Sequence, residues 1–361
     1  MNNKFLVSAL AVAMAGSMGF ANADVSVYGQ VNASIDATDQ DGGSDDINLK
    51  SNTSSLGIKG SEKISDGLKG VFKYELQTDI SEADGKNDGL IGRDQYIGLQ
   101  GGFGRVLFGT MSTAYKSPGS KIDPWYRTSI QSRSIGLQSG LHKGKGEEGQ
   151  GRGKNMIRYD SPKIAGGLGF TGTYQLDNTE SDLENEDPYS VGVTYGGNGF
   201  YGFASLIDTQ QSDEASAVQV GGKYSISGFT VRGIYEVDQG LLTSTGTSKG
   251  DGADLWSVGV DYKLANNLIS LDYGQSDESD GVDGLGSGTR AGIDGNGNAI
   301  TINNAADNVS EATTWRLGVQ HMFTKRTKVY IGHANSDLDK DGANGKKGES
   351  ETTTLGMTHK F

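Results

Sequence analysis

Between residues 112 and 154 the sequence sets eight cations (Lys116, Lys121, Arg127, Arg133, Lys143, Lys145, Arg152 and Lys154) against three carboxylates (Asp123, Glu147 and Glu148), a balance of +5. The whole chain carries -13, so everything outside this stretch sums to -18. Charges of one sign held beside a narrow aqueous gap sort ions and orient dipolar solutes. Acid–base or nucleophilic chemistry has fewer candidates. The four histidines are His142, His321, His333 and His359, cysteine is absent and no GxSxG elbow occurs. Catalysis needs a base aligned with a nucleophile or acid, and residues scattered in this way suit interfacial or solvated positions better.

Two apparent motifs lack the context that would give them meaning. Gly144-Lys-Gly-Glu-Glu-Gly149 matches GxGxxG, but no strand precedes it and no helix follows, and a chain with 57 glycines produces such matches by chance. Asp337-Leu-Asp-Lys-Asp-Gly342 opens like a calcium loop, yet Gly348 stands where the closing glutamate belongs. No catalytic residue, metal, cofactor or nucleic-acid partner is therefore expected. The competing readings are a membrane-borne hydrolase, which would need an aligned base, and a secreted repeat protein, which would need a fixed short period that the chain does not show.

The elements that position the charged stretch are written in a period of two. Val25, Val27, Gly29, Val31, Ala33 and Ile35 lie on one face of a strand, and Ser26, Tyr28, Gln30, Asn32, Ser34 and Asp36 on the other. The same alternation returns at 68–76, 189–195, 229–237 and 256–264. Strands of about 10 residues suit a tilted crossing of a bilayer, whereas soluble strands run nearer five or six. Short connections rich in turn formers, such as Ser65-Asp66-Gly67, Ala265-Asn266 and Thr324–Arg326, alternate with long polar ones near 37–52, 79–90, 112–154, 177–187, 208–215, 239–252, 276–312 and 337–350. Counting between them gives about 16 strands, a size at which a closed sheet encloses water. The expected fold is all-β, a transmembrane 16-stranded antiparallel barrel with short turns on one side and long loops on the other.

That fold accounts for an apolar content of only 34%. A closed barrel satisfies every backbone amide within its own sheet and needs apolar residues only on the side that meets lipid. Residues 1–23 are expected to be a signal peptide, with Lys4 ahead of an apolar run and Ala21-Asn22-Ala23 as the cleavage site, leaving 24–361 as the barrel domain.

Parity assigns the charges. Leu56 and Ile58 point outward, so Lys59 points into the lumen; Phe72 and Tyr74 do the same for Lys73 and Glu75, Ile157 and Tyr159 for Arg158, and Val231 and Tyr235 for Arg232 and Glu236. A lipid-facing charge at mid-depth would cost about 2–4 kcal/mol. Arg93 shares parity with Ile97 and Leu99, and Arg105 with Leu107. Both arginines are expected inside, their apolar neighbours packing inward against a loop rather than being displaced by a bulge.

Four stretches carry a family resemblance: Val25-Ser-Val-Tyr-Gly-Gln-Val, Ser55-Leu-Gly-Ile-Lys-Gly-Ser-Glu, Gly92-Arg-Asp-Gln-Tyr-Ile-Gly-Leu and Asn155-Met-Ile-Arg-Tyr-Asp-Ser-Pro. Together with the terminal Phe361, they resemble the general trimeric porins of proteobacteria. The resemblance implies an outer-membrane location, association into homotrimers, a third extracellular loop folded inward, here 112–154, and Phe361 as an assembly signal. It also implies passage of ions and small hydrophilic solutes through a barrel set in outer-membrane lipid. The expected constriction then places Arg93, Arg105 and Arg158, with Lys59 and Lys73, on a basic wall facing Asp123 and the loop segment that carries Lys116, Lys121, Arg127 and Arg133. Trp125, Tyr126 and Ile130 would anchor that segment, and the distal part around Gly144–Gly153 would be solvated. A basic constriction implies weak anion preference.

Overall fold

A computed structural model describes residues 23–40, 45–81, 90–142, 145–146, 151–176, 187–208, 216–239, 254–277, 288–293, 299–304, 312–338 and 348–361. The signal peptide expected over 1–23 lies outside these residues except for Ala23, as do most of the glycine-rich motif at 144–149 and the calcium-like segment beyond Leu338.

The chain forms a closed barrel of 16 antiparallel strands. In order they are β1 (Ala23–Gln40), β2 (Asp46–Ser51 and Ser54–Ser65), β3 (Leu68–Thr78) and β4 (Leu90–Gly101). Next come β5 (Gly104–Ser112), β6 (Arg152–Asp160), β7 (Gly169–Gln175) and β8 (Tyr189–Gly197). The third quarter comprises β9 (Phe200–Asp208), β10 (Ser216–Ile226), β11 (Phe229–Gln239) and β12 (Leu255–Leu264). The last consists of β13 (Asn267–Ser276), β14 (Ala312–Met322), β15 (Thr327–Leu338) and β16 (Gly348–Lys360). Each strand pairs with its neighbours in sequence, and β16 closes the cylinder on β1 from Gln30↔Lys360 to Gln40↔Ser350. No open edge is left along this seam, which is what a sheet in hydrocarbon requires.

The barrel is polar inside and apolar outside. On β1, Val27 is 62% and Ile35 53% exposed, while Asn32, Ser34 and Asp36 on the other face are buried. Alternation therefore has the opposite sense from a soluble sheet. Hairpins are tight at one end because residues there accept left-handed backbone: Asn198 and Gly199 have φ of 52° and 79°, Ser227 and Gly228 of 48° and 86°. Positive φ at both central positions belongs to the turns that match strand twist.

Several expected boundaries move. β1 extends to Gln40 and β2 begins at Asp46, so the first long connection is shorter than 37–52. Within β2, Asn52 and Thr53 interrupt the strand, Thr53 adopting φ of 59°. A two-stranded ribbon, Gly288–Ile293 with Ala299–Asn304, occupies part of the connection between β13 and β14. The 112–154 loop ends earlier than expected, because β6 begins at Arg152. Gly151, Arg152 and Gly153 are buried rather than solvated.

Candidate constriction of the lumen

The segment after β5 folds across the lumen and is held at many points around the wall. Among the described residues it contains one helical turn, α1 (Lys116–Gly119), and 3-10 turns at Ser132–Ser134 and Gly140–His142. Apolar side chains seat it. Trp125 and Ile130 are fully buried against Tyr330 and Ala334 of β15, and Tyr115 and Leu141 against Ile207 of β9 and Ala217 of β10. Glycine makes the close approach possible: a Cβ at Gly318 would overlap the Trp125 indole.

Polar anchors complete the attachment. Arg316 of β14 has no exposed side-chain surface and lies 3.2 Å from Asp123 and 2.8 Å from Asp272, while donating to the Ile130 carbonyl at 2.6 Å. Asp123 in turn accepts from the backbone N–H of Trp125 at 3.0 Å and of Ser132 at 2.8 Å. Glu236 of β11 accepts from the Tyr115 hydroxyl at 2.9 Å and the Ser139 hydroxyl at 2.6 Å, and meets His142 Nε2 at 3.1 Å. Ser129 donates to Asp36, and Ser190 accepts from the Ala114 N–H at 2.9 Å. Four of these bonds satisfy buried loop backbone, at the Ile130 carbonyl and the N–H groups of Trp125, Ser132 and Ala114.

Between this loop and the β3–β6 wall lies a dense group of charges. Glu75 accepts from Arg93 Nε at 2.7 Å and from the Tyr28 hydroxyl at 2.7 Å, with Lys73 at 3.2 Å and Arg127 at 3.3 Å. Asp94 binds Lys73 at 3.0 Å and Arg152 at 2.8 Å. Lys116 and Arg133 are buried beside them. Arg133 donates to Gln131 and to the His142 carbonyl, and its guanidinium lies 4.9 Å from the centre of the Tyr126 ring. Among the described residues, six basic side chains thus surround two carboxylates. Burial, reinforced by Arg152, Arg133 and Arg93, holds the Lys116 ammonium well below the usual lysine range.

A second group lies toward the short-turn end. Asp160 bridges Arg105 at 2.6 Å and Arg158 at 2.8 Å, and Arg158 also donates to the Ser112 carbonyl at 2.7 Å. Lys121 lies 5.4 Å from the Tyr201 ring centre, and Lys59, exposed to the lumen, lies 5.0 Å from that of Tyr28. Phe361 extends the seam by exchanging backbone bonds with Gly29 at 3.1 and 3.2 Å.

Three expectations are corrected. Arg93 does face the lumen, but Ile97 and Leu99 do not; they are 66% and 42% exposed on the outer face. The register slips between Tyr74 and Leu76, so that Arg93 and Asp94 share the place opposite Glu75, and this bulge turns Arg93 inward. For Arg105 the expectation fits the geometry, since Leu107 is buried inside with Met111 and Met156. Asp123 does not face the basic wall: it is tied to Arg316 on the opposite side, and the carboxylates beside the wall are Glu75, Asp94 and Asp160. His142 is neither interfacial nor solvated but buried against Glu236. Arg316 and Asp272 escaped the sequence reading. Trp315, Leu317 and Val319 alternate on the outer face and would have placed Arg316 inside.

Comparison with known proteins follows the same architecture. A family model described as Gram-negative porin matches residues 8–341. The major outer membrane protein P.IB of Neisseria sicca is 27% identical over 389 residues, covering 98% of this chain and 99% of that one. Among solved structures, an anion-selective porin from Comamonas acidovorans has a TM-score of 0.68 at 18% identity, covering 94% of this chain and 100% of that one. The trimer form of OmpT, an outer membrane protein of Vibrio cholerae, has a TM-score of 0.63 at 14% identity, with 94% and 99% covered.

Proposed function

Since the chain belongs to the Gram-negative porin family, we propose that its outer-membrane barrel is a passive diffusion channel with weak anion preference, set where the folded-in loop meets the β3–β6 wall. A porin of the outer membrane is a channel rather than an enzyme, so what distinguishes this one is the charge along its path. The observation that carries the reading is the surplus of cations at the gap: among the described residues, Lys73, Arg93, Arg127, Arg133 and Arg152, with Lys116 buried beside them, gather about Glu75 and Asp94. An anion there meets a positive potential that the two carboxylates do not cancel, and a cation meets a barrier. Arg105 and Arg158 extend the positive wall along the lumen, while Lys59 and Lys121 carry exposed charge beside it.

The shared fold of the anion-selective porin from Comamonas acidovorans supports this preference, and that of the OmpT trimer supports assembly as a homotrimer in outer-membrane lipid. The solutes are then ions and small hydrophilic molecules, and the short turns face the periplasm. Residues 1–23 would serve as the signal peptide and Phe361 as the assembly signal. Planar-bilayer recording of refolded protein tests these points together. Conductance rising in groups of three equal steps, ohmic current and anion preference are the expected results; single steps would remove the trimer, and clear cation preference would remove the constriction assignment.

A further inference from the structure

Beneath the loop, toward the short-turn end, the wall hollows into a niche of about 210 Å³. Among the described residues four cations line it, Arg105, Lys121, Arg158 and Lys163, against one carboxylate, Asp160, a balance of +3. The niche is separate from the Glu75–Asp94 group: its arginines are braced by Asp160, and Lys163 comes from the turn between β6 and β7.

The groups are already held in place. Arg105 and Arg158 grip opposite sides of Asp160, and Lys163 Nζ donates to the Thr194 hydroxyl at 2.9 Å. Because Thr194 accepts that bond, its own proton is available to a ligand oxygen. Lys223 fixes the other edge by donating to the Lys121 carbonyl at 2.6 Å. Bringing so many cations together without an equal number of acids is costly, and an anion with two charges relieves most of it. Size restricts the choice further, since the volume falls below the roughly 300 Å³ at which pockets for drug-sized ligands begin.

We infer that this niche is a binding subsite for a small doubly charged oxyanion, a phosphate group or a compact phosphomonoester, held by Arg105, Lys121, Arg158 and Lys163 with Thr194 as hydroxyl donor. The inference rests on the reading of the lumen as an aqueous path open to anions. Inorganic phosphate bound in the niche narrows that path and adds negative charge beside it, so it reduces chloride current in a saturable way.

The test is chloride conductance of the full reconstituted channel against increasing inorganic phosphate, each variant normalised to its own phosphate-free current. Wild-type current should fall with a defined half-blocking concentration, which Lys163→Gln should raise about tenfold and Lys163→Gln with Thr194→Val further. Lys163 lies in an exposed turn, so its substitution leaves the strand framework in place, and at Thr194 within β8 valine is a strand former of the same shape. Calorimetric titration of the detergent-solubilised protein with phosphate should show the same loss of affinity. Equal block in wild type and Lys163→Gln, or block lost only in Arg127→Gln, would overturn the subsite. An anion-selective channel without phosphate block would remove the niche and keep the proposed function; a cation-selective channel with Lys163-dependent block would do the reverse.

Discussion

Arg316 and Asp123, both without exposed side-chain surface, meet at 3.2 Å where the loop crosses to the β14 wall. Asp272 shares the same guanidinium and also binds Arg232 at 2.5 Å, which reaches Asp261 in turn. The loop is therefore tied to a buried chain of alternating charges rather than resting on apolar contact alone. Removing one member of a buried pair strands its partner, which costs about 3–5 kcal/mol.

Arg316→Leu should release the loop while the strand ladder persists. In limited proteolysis of the folded barrel, trypsin is expected to cut after Arg127 and Arg133 in the variant and to leave the parent loop intact. Single-channel current should become larger and noisier. A variant as resistant and as quiet as the parent would mean that Trp125 and Ile130 hold the loop without the ion pair.

Arg127 has φ of 65° and reaches Glu75 at 3.3 Å. Left-handed backbone at a non-glycine residue costs about 1 kcal/mol, and it persists here where the guanidinium spans the gap. Arg127→Gly keeps that conformation without strain but deletes the charge. A unit charge 4 Å away in water is worth about 1 kcal/mol, so the chloride-to-potassium permeability ratio should fall by up to about fivefold. An unchanged ratio from reversal potentials would place Arg127 away from the ion path.

The barrel was readable because the alternation of Val25 through Ile35 survives unchanged in three dimensions, and the hairpins at Asn198-Gly199 and Ser227-Gly228 are set by local backbone preference. The constriction was less readable because its contacts are long-range. Parity gave the inward direction of Lys73, Arg158 and Arg232, but could not show that Asp123 would cross to Arg316 or that His142 would close on Glu236. At Arg93 the simple period failed, since a bulge adds one residue without a sequence mark strong enough to separate it from ordinary alternation. Functional sites are where such local rules are broken.

Ionic strength should weaken selectivity. The screening length is about 10 Å at 0.1 M salt and about 3 Å at 1 M. Charges at the gap act on ions across water, so the permeability ratio measured at 1 M should lie closer to unity than at 0.1 M. Selectivity insensitive to salt would point to direct dehydration of the ion instead.

Raising the pH should weaken anion preference at values where ordinary lysines still carry their charge. Burial and then the neighbouring arginines lower the Lys116 pKa, so its charge is lost below the usual value of about 10.4. In that window the folded state binds fewer protons than the unfolded one, so the same titration makes the barrel more stable as pH rises. Reversal potentials across a pH series should show the decline in the parent and lack this component in Lys116→Met. Identical profiles would assign the decline to other groups.

Reversal potential across a potassium chloride gradient tests the basic constriction most directly. The parent channel should show a chloride-directed potential, and replacing Arg93, Arg127 and Arg158 together by glutamine should move it to or beyond zero, with the barrel still inserted and conducting. A potassium-directed potential in the parent, unaltered by the triple replacement, would contradict it.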